Sequence, residues 1–248
     1  MRIELPSAKI VNAAAVTAYP FSDSASDIFI VGEGAISSCK NRALGGLDAT
    51  AHGAIAYEDN YAIFSGDSQT NYLQTQIVDS AVPGLDADLT IITVARMPNA
   101  ALGVPEPGRG LLSNYNGAGS SGNYGFSVHN VGAFQARDGG ADAAYFSEDV
   151  RFQQPVFYFR AATVTSTAMT AYQRSGGKIV DYSQTAVTRA LDGDSPWRIG
   201  GDYYAGGYDD TAHIAFVARH RGAFTREMMR TTYEYLRSYY AARGERVL

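Results

Sequence analysis

Short apolar-rich runs separated by clusters of Gly, Asn, Asp and Pro recur along the whole chain, which is the pattern of strands joined by turns. The first group is 27–31 (DIFIV), 61–66 (YAIFSG), 71–78 (NYLQTQIV), 88–97 (DLTIITVARM) and 109–115 (RGLLSNY). Next come 124–130 (YGFSVHN), 133–138 (AFQARD), 143–147 (AAYFS) and 155–164 (PVFYFRAATV). The series closes with 167–175 (TAMTAYQRS), 178–183 (KIVDYS), 197–201 (WRIGG) and 211–220 (TAHIAFVARH). Their Tyr, Phe, Val, Ile and Thr content suits a pleated, half-buried surface. In the last run the two-residue repeat predicts Ala212, Ile214, Phe216 and Ala218 on one face and His213, Val217 and Arg219 on the other.

One stretch changes period. Residues 226–243 run without Gly or Pro until Gly244, and Thr225 stands where an N-cap belongs. Met229, Tyr233, Leu236 and Tyr240 fall at helical spacing, so this C-terminal α-helix is expected to lie as a lid on the strands. Many strands and one terminal helix predict an all-β fold, a two-sheet antiparallel sandwich. No internal repeat or linker divides the chain. Residues 1–27, rich in Ala and Ser, are expected to form an arm or extra edge strand with a docking role, and residues 28–248 the sandwich.

Composition narrows the function. A chain of 248 residues with 46% hydrophobic content can bury a sizeable core. A net charge of −5, with no run of like charges, argues against a nucleic-acid or anionic-membrane partner. No segment is apolar for long enough to cross a membrane, and the N-terminus lacks the apolar stretch of a secretory signal, so synthesis in the cytoplasm without a leader is expected. The single Cys39 cannot form an internal disulfide.

Catalytic patterns are sparse. A sandwich glycosidase needs two carboxylates facing one groove, yet no two of the eight glutamates share a strand at even spacing; Glu58 and Asp59 are adjacent and would point to opposite faces. The GAGSSG stretch at 117–122 matches a dinucleotide-binding fingerprint, but a strand follows where a helix is required, so it reads as a hairpin. His52, His129, His213 and His220 show no zinc spacing. Neither a catalytic nor a metal residue is assigned. Three Asp/Gly loops, 136–142, 191–196 and 206–210, leave calcium open as a cofactor without selecting one of them.

The segment from Pro196 to Tyr240, with its IGG element, glycine-bearing loop, strand and helix, resembles the end of laminin-G-like, concanavalin A-like lectin domains. Residues 61–77, 88–98 and 41–53 are similar to earlier strands of that family. The resemblance covers about residues 28–248 and implies a jelly-roll of two antiparallel sheets. The missing carboxylate pair removes the family's hydrolase branch. Stand-alone domains of this kind look most like bacteriophage virion proteins of a tail, baseplate or head spike. That implies other virion proteins as partners and a homo-oligomer such as a trimer.

Sugars are held by aromatic rings and by Asp, Asn and backbone groups on loops. The GGDYYAGGYDD loop offers Asp202, Tyr203, Tyr204, Tyr208, Asp209 and Asp210; a second connection offers Asn114, Tyr115, Asn116 and Asn123. These are the expected ligand residues for a host-surface polysaccharide. The alternatives are that the glycines merely permit a turn while the tyrosines cover the sandwich edge, that the protein is a purely structural component of a particle, and, behind these, that it is a glycoside hydrolase with an Asp-based site.

Overall fold

A computed structural model describes residues 19–79, 88–98, 108–115, 125–129, 132–136, 143–147, 156–165, 167–175, 178–185, 191, 193–203 and 209–248. In chain order the first elements are β1 (Ala25–Ile30), α1 (Ala35–Cys39), β2 (Thr50–His52), β3 (Ala56–Tyr57), β4 (Ala62–Phe64), β5 (Tyr72–Gln74) and β6 (Leu89–Arg96). Then come β7 (Gly110–Ser113), β8 (Phe126–His129), β9 (Gly132–Ala136), β10 (Ala143–Ser147) and β11 (Tyr158–Val164). The last are β12 (Ala168–Ser175), β13 (Lys178–Thr185), β14 (Arg198–Ile199), β15 (Ala212–Arg221) and α2 (Arg226–Ala241). Every run read as a strand overlaps one; among the described residues the short β2 and β3, the five-residue α1 and a 3-10 turn at Ser22–Ser24 escaped the pattern.

The strands form the expected two antiparallel sheets. The first has the order β13-β12-β11-β6-β15-β4-β3, with β1 also on β15; the second has the order β10-β9-β8-β7-β14-β5-β2. Between them lies one core, built on Phe29, Phe64, Leu73, Leu89, Ile91, Leu112, Phe126, Trp197, Ile199, Ile214 and Val217. A second core covers the outer face of the first sheet, where Met229, Tyr233, Leu236 and Tyr240 of α2 pack on Ile92, Val94, Phe159, Phe216 and Ala218. Thr225 caps α2 by accepting a hydrogen bond from Met228 N. The predicted stripe is the face that is buried.

One strand departs from strict alternation. The pairing of β15 with β6 shifts between Ile214 and Phe216, so Ala215 is an extra residue in the ladder. Beyond it the faces exchange: Ile214 and Val217 join the inter-sheet core, while Phe216 and Ala218 turn to α2. The two-residue repeat had placed Ile214 and Phe216 together. The bulge separates them.

The N-terminal boundary also moves. Tyr19 is buried against Phe216, His220 and Tyr235, and β1 starts at Ala25, so residues 19–27 belong to the sandwich rather than to a separable arm. The rest of that segment, 1–18, lies outside the described residues.

Candidate functional site

The turn after β14 is forced by close packing. Gly200 has φ +73°, and a Cβ there would sit 2.3 Å from the Phe64 ring; a Cβ on Gly201 would meet the Ser68 carbonyl at 2.3 Å. Arg109, fully buried, then fastens three segments: Nε donates to Gly200 O at 2.6 Å, Nη1 to Gly66 O at 2.8 Å and Asp210 O at 3.0 Å, and Nη2 to Asn71 O at 2.8 Å. Burial pushes the Arg109 guanidinium down to about 10, opposed by the nearby carboxylates of Asp209, Asp202, Asp67 and Asp210. Asp209 Oδ1 accepts from Ser68 N at 2.8 Å, and Asp210 Oδ2 accepts from Gly108 N at 3.2 Å. These two expected ligand residues brace neighbouring loops.

Three other expected ligand residues are interior. Asn114 is fully buried, donating from Nδ2 to Asp79 Oδ2 at 2.8 Å and accepting from Phe126 N at 2.9 Å. It belongs to a polar group between the sheets in which Trp197 Nε1 donates to Asp79 Oδ1 at 3.3 Å and Arg219 Nη2 stands 3.8 Å from the same oxygen. Tyr115 and Asp202 are also buried. Short polar side chains at strand ends were read as loop chemistry; here the chain folds over them, so Asn114, Tyr115 and Asp202 serve the frame. Tyr203 is half-buried. Tyr204, Tyr208, Asn116 and Asn123 lie outside the described residues.

What sequence reading missed is the outer face of the second sheet. Thr50 pairs with Gln74, Gln74 with Arg198, Arg198 with Ser113 and Ser113 with Ser127, giving a polar row across β2, β5, β14, β7 and β8. Leu73, Leu112, Phe126, Val128, Trp197 and Ile199, the neighbours in sequence, all enter the core, so the alternation of strands puts the polar set outside. The row is open at Thr50, partly covered at Gln74 and Arg198, and closed at Ser113 and Ser127. Exposure therefore falls from one end of the row to the other.

Arg198 is the centre of this row. Its guanidinium lies 4.0 Å from the centre of the Tyr72 ring and 3.6 Å from that of Tyr203. His52 stacks on Tyr72 at 4.8 Å, completing a ladder of four groups. Nη1 donates to the Asp202 carbonyl at 2.7 Å, and Tyr203 Oη donates to Pro196 O at 2.7 Å, so the ladder is rigid. Two polar atoms in the row are buried without a hydrogen-bond partner among the described residues: Arg198 Nε and Ser127 Oγ. Such atoms cost free energy unless something supplies the missing bond. The row holds no carboxylate, and no group of three His, Cys, Asp or Glu side chains able to hold a metal occurs among the described residues. No helix among them is long and apolar enough to cross a membrane.

No protein-family model and no curated protein matches this chain. Solved structures do match its fold. The binding domain of Paraclostridial Mosquitocidal Protein 1 is similar with a TM-score of 0.58 and 13% identity, over 86% of this chain and 53% of that one. The Botulinum neurotoxin serotype D binding domain gives 0.61 and 10% identity, over 89% and 52%. The serotype D ligand binding domain solved in complex with N-acetylneuraminic acid gives 0.57 and 12% identity, over 89% and 52%. This chain therefore spans about half the length of each, and what is shared is the two-sheet β-sandwich fold.

Proposed function

We propose that this chain is a non-catalytic carbohydrate-binding module whose ligand lies on the outer face of the second sheet. The observation that carries this reading is the row itself: polar positions flanked by the His52–Tyr72–Arg198–Tyr203 ladder, with the Arg198 Nε and Ser127 Oγ atoms left unsatisfied. Sugars are recognised by such a mixture of fixed polar groups and aromatic walls. The solved sandwiches of the same fold are binding domains, one of them crystallised with a sugar acid, which supports attachment rather than bond cleavage. The test is a glycan array run with the whole chain, with and without chelator, beside a reducing-sugar assay on any polysaccharide that binds. Array signals lost on Ser127→Val and Gln74→Ala, without sugar release, are expected. Absence of signal, or release of reducing ends, would overturn the reading.

Ile36, Leu44 and Leu47 favour a second, compatible role in assembly. Leu44 is 99% and Ile36 91% exposed, both on a segment tied together by the Lys40–Asp48 and Arg42–Ser37 contacts, and large apolar side chains so exposed mark contact surfaces. Docking on a bacteriophage particle, as the sequence resemblance implies, belongs to this role. Loss of incorporation on Leu44→Ser and Ile36→Ser, with sugar binding retained, would be its signature.

A further inference from the structure

We infer that the sugar recognised at this polar row carries a carboxylate, held by the Nε–Nη2 edge of Arg198. This rests on the reading of the row as a carbohydrate site and specifies its ligand class. Nη1 is committed to the Asp202 carbonyl, whereas Nε is buried with no partner among the described residues. The Nε–Nη2 edge, and not the Nη1 side, is thus the one with bonding capacity left for two parallel bonds to a planar anion. No carboxylate among the described residues forms an ion pair with Arg198. The Tyr72 and Tyr203 rings both lie within 4.0 Å of the guanidinium, and with the Asp202 carbonyl they hold the fork in place before any ligand arrives. A neutral sugar would leave this partly covered cation without an anion.

Ser127 supplies the second anchor. Its hydroxyl is fully buried at the covered end of the row, again without a partner among the described residues. Ser113 stands between it and Arg198 in the pairing register, which sets the two backbone positions about 10 Å apart at ordinary strand spacing. Ser113 Oγ is itself occupied, accepting from Tyr115 N at 3.0 Å. One anchor therefore prefers charge and the other a hydroxyl or carbonyl, on a ligand longer than one sugar ring.

Acid sugars come from two sources, nonulosonic acids and hexuronic acids, which present the same carboxylate. The experiment titrates the intact chain calorimetrically with 3′-sialyllactose, an oligogalacturonide, the methyl ester of each, and lactose. Binding of at least one acid, weakened about tenfold to a hundredfold on esterification, is expected, as for loss of a charged hydrogen bond. Arg198→Gln should show the same loss towards the acid and none towards the ester, while Arg198→Lys keeps part of the affinity. Ser127→Ala, which removes a side-chain atom with no partner, should fold normally and weaken acid and ester alike. Equal affinity for acid and ester, or for lactose, would sink the carboxylate inference and leave the carbohydrate reading standing. Failure of all five probes, together with a blank glycan array, would remove both.

Discussion

Arg109 Nε donates to the carbonyl of Gly200 at 2.6 Å, and through that bond one buried cation governs the turn that begins the glycine-rich loop. The same guanidinium holds Gly66, Asn71 and Asp210 by their carbonyls. Arg109→Met would leave four backbone acceptors short of a donor in the interior. A loss of about 3 kcal/mol or more is expected in chemical denaturation. Arg109→Lys should recover little, because one ammonium cannot serve three segments. A variant as stable as the parent would mean that the loops hold their shape without the cation.

His220 supplies the pH dependence. It is buried, with Nε2 hydrogen-bonded to Tyr19 Oη at 2.9 Å and Nδ1 to Ser24 Oγ at 3.0 Å, and burial pushes its imidazole down to about 3. The unfolded chain takes up the proton near 6.5 and the folded one only near 3. The contribution of neutral His220 is therefore whole above about pH 6.5 and is lost as pH falls towards 3. By pH 4.5 this amounts to about 2 to 3 kcal/mol. Stability measured from pH 7 to 4.5 should fall less steeply in His220→Gln than in the parent; parallel curves would assign the acid sensitivity to other groups.

How far the sequence can be read follows from which physical signal dominates at each place. The runs at 88–97 and 211–220 are buried on both faces, so apolar content alone identified them as strands. Thr225, Met229, Tyr233, Leu236 and Tyr240 announced the helix by spacing. The faces of β15 were not legible past Ile214, because a bulge depends on the pairing partner and not on the residue inserted. The polar row was hidden for a related reason. Thr50, Gln74, Arg198, Ser113 and Ser127 are scattered along the chain and meet only through register. The loop aspartates drew attention by composition, although Asp209 and Asp210 spend their carboxylates on backbone amides.

The bulge itself can be probed through Tyr240. Its buried hydroxyl donates to Ala215 O at 2.7 Å, and Val31 N donates to the same carbonyl at 2.9 Å. Tyr240→Phe removes one of two donors while keeping the ring in place against the first sheet. A destabilisation of about 1 kcal/mol is expected. Faster hydrogen exchange should be confined to the strand around Ala215 and to Val31. A uniform change across both sheets would show that the hydroxyl acts on the whole fold.

Tyr203 separates the two uses of the glycine-rich loop. Its ring covers one face of Arg198 at 3.6 Å, and its hydroxyl ties the loop to Pro196. Tyr203→Phe keeps the ring and loses the tie, so stability should drop by about 1 kcal/mol with sugar affinity nearly unchanged. Tyr203→Ala opens one side of the ladder and frees the guanidinium to rotate. Affinity should then fall roughly tenfold, the scale of one cation–π contact in a partly desolvated site. If the alanine variant binds as well as the phenylalanine one, the clamp does not preorganise Arg198, and the ring serves only to cover the sheet.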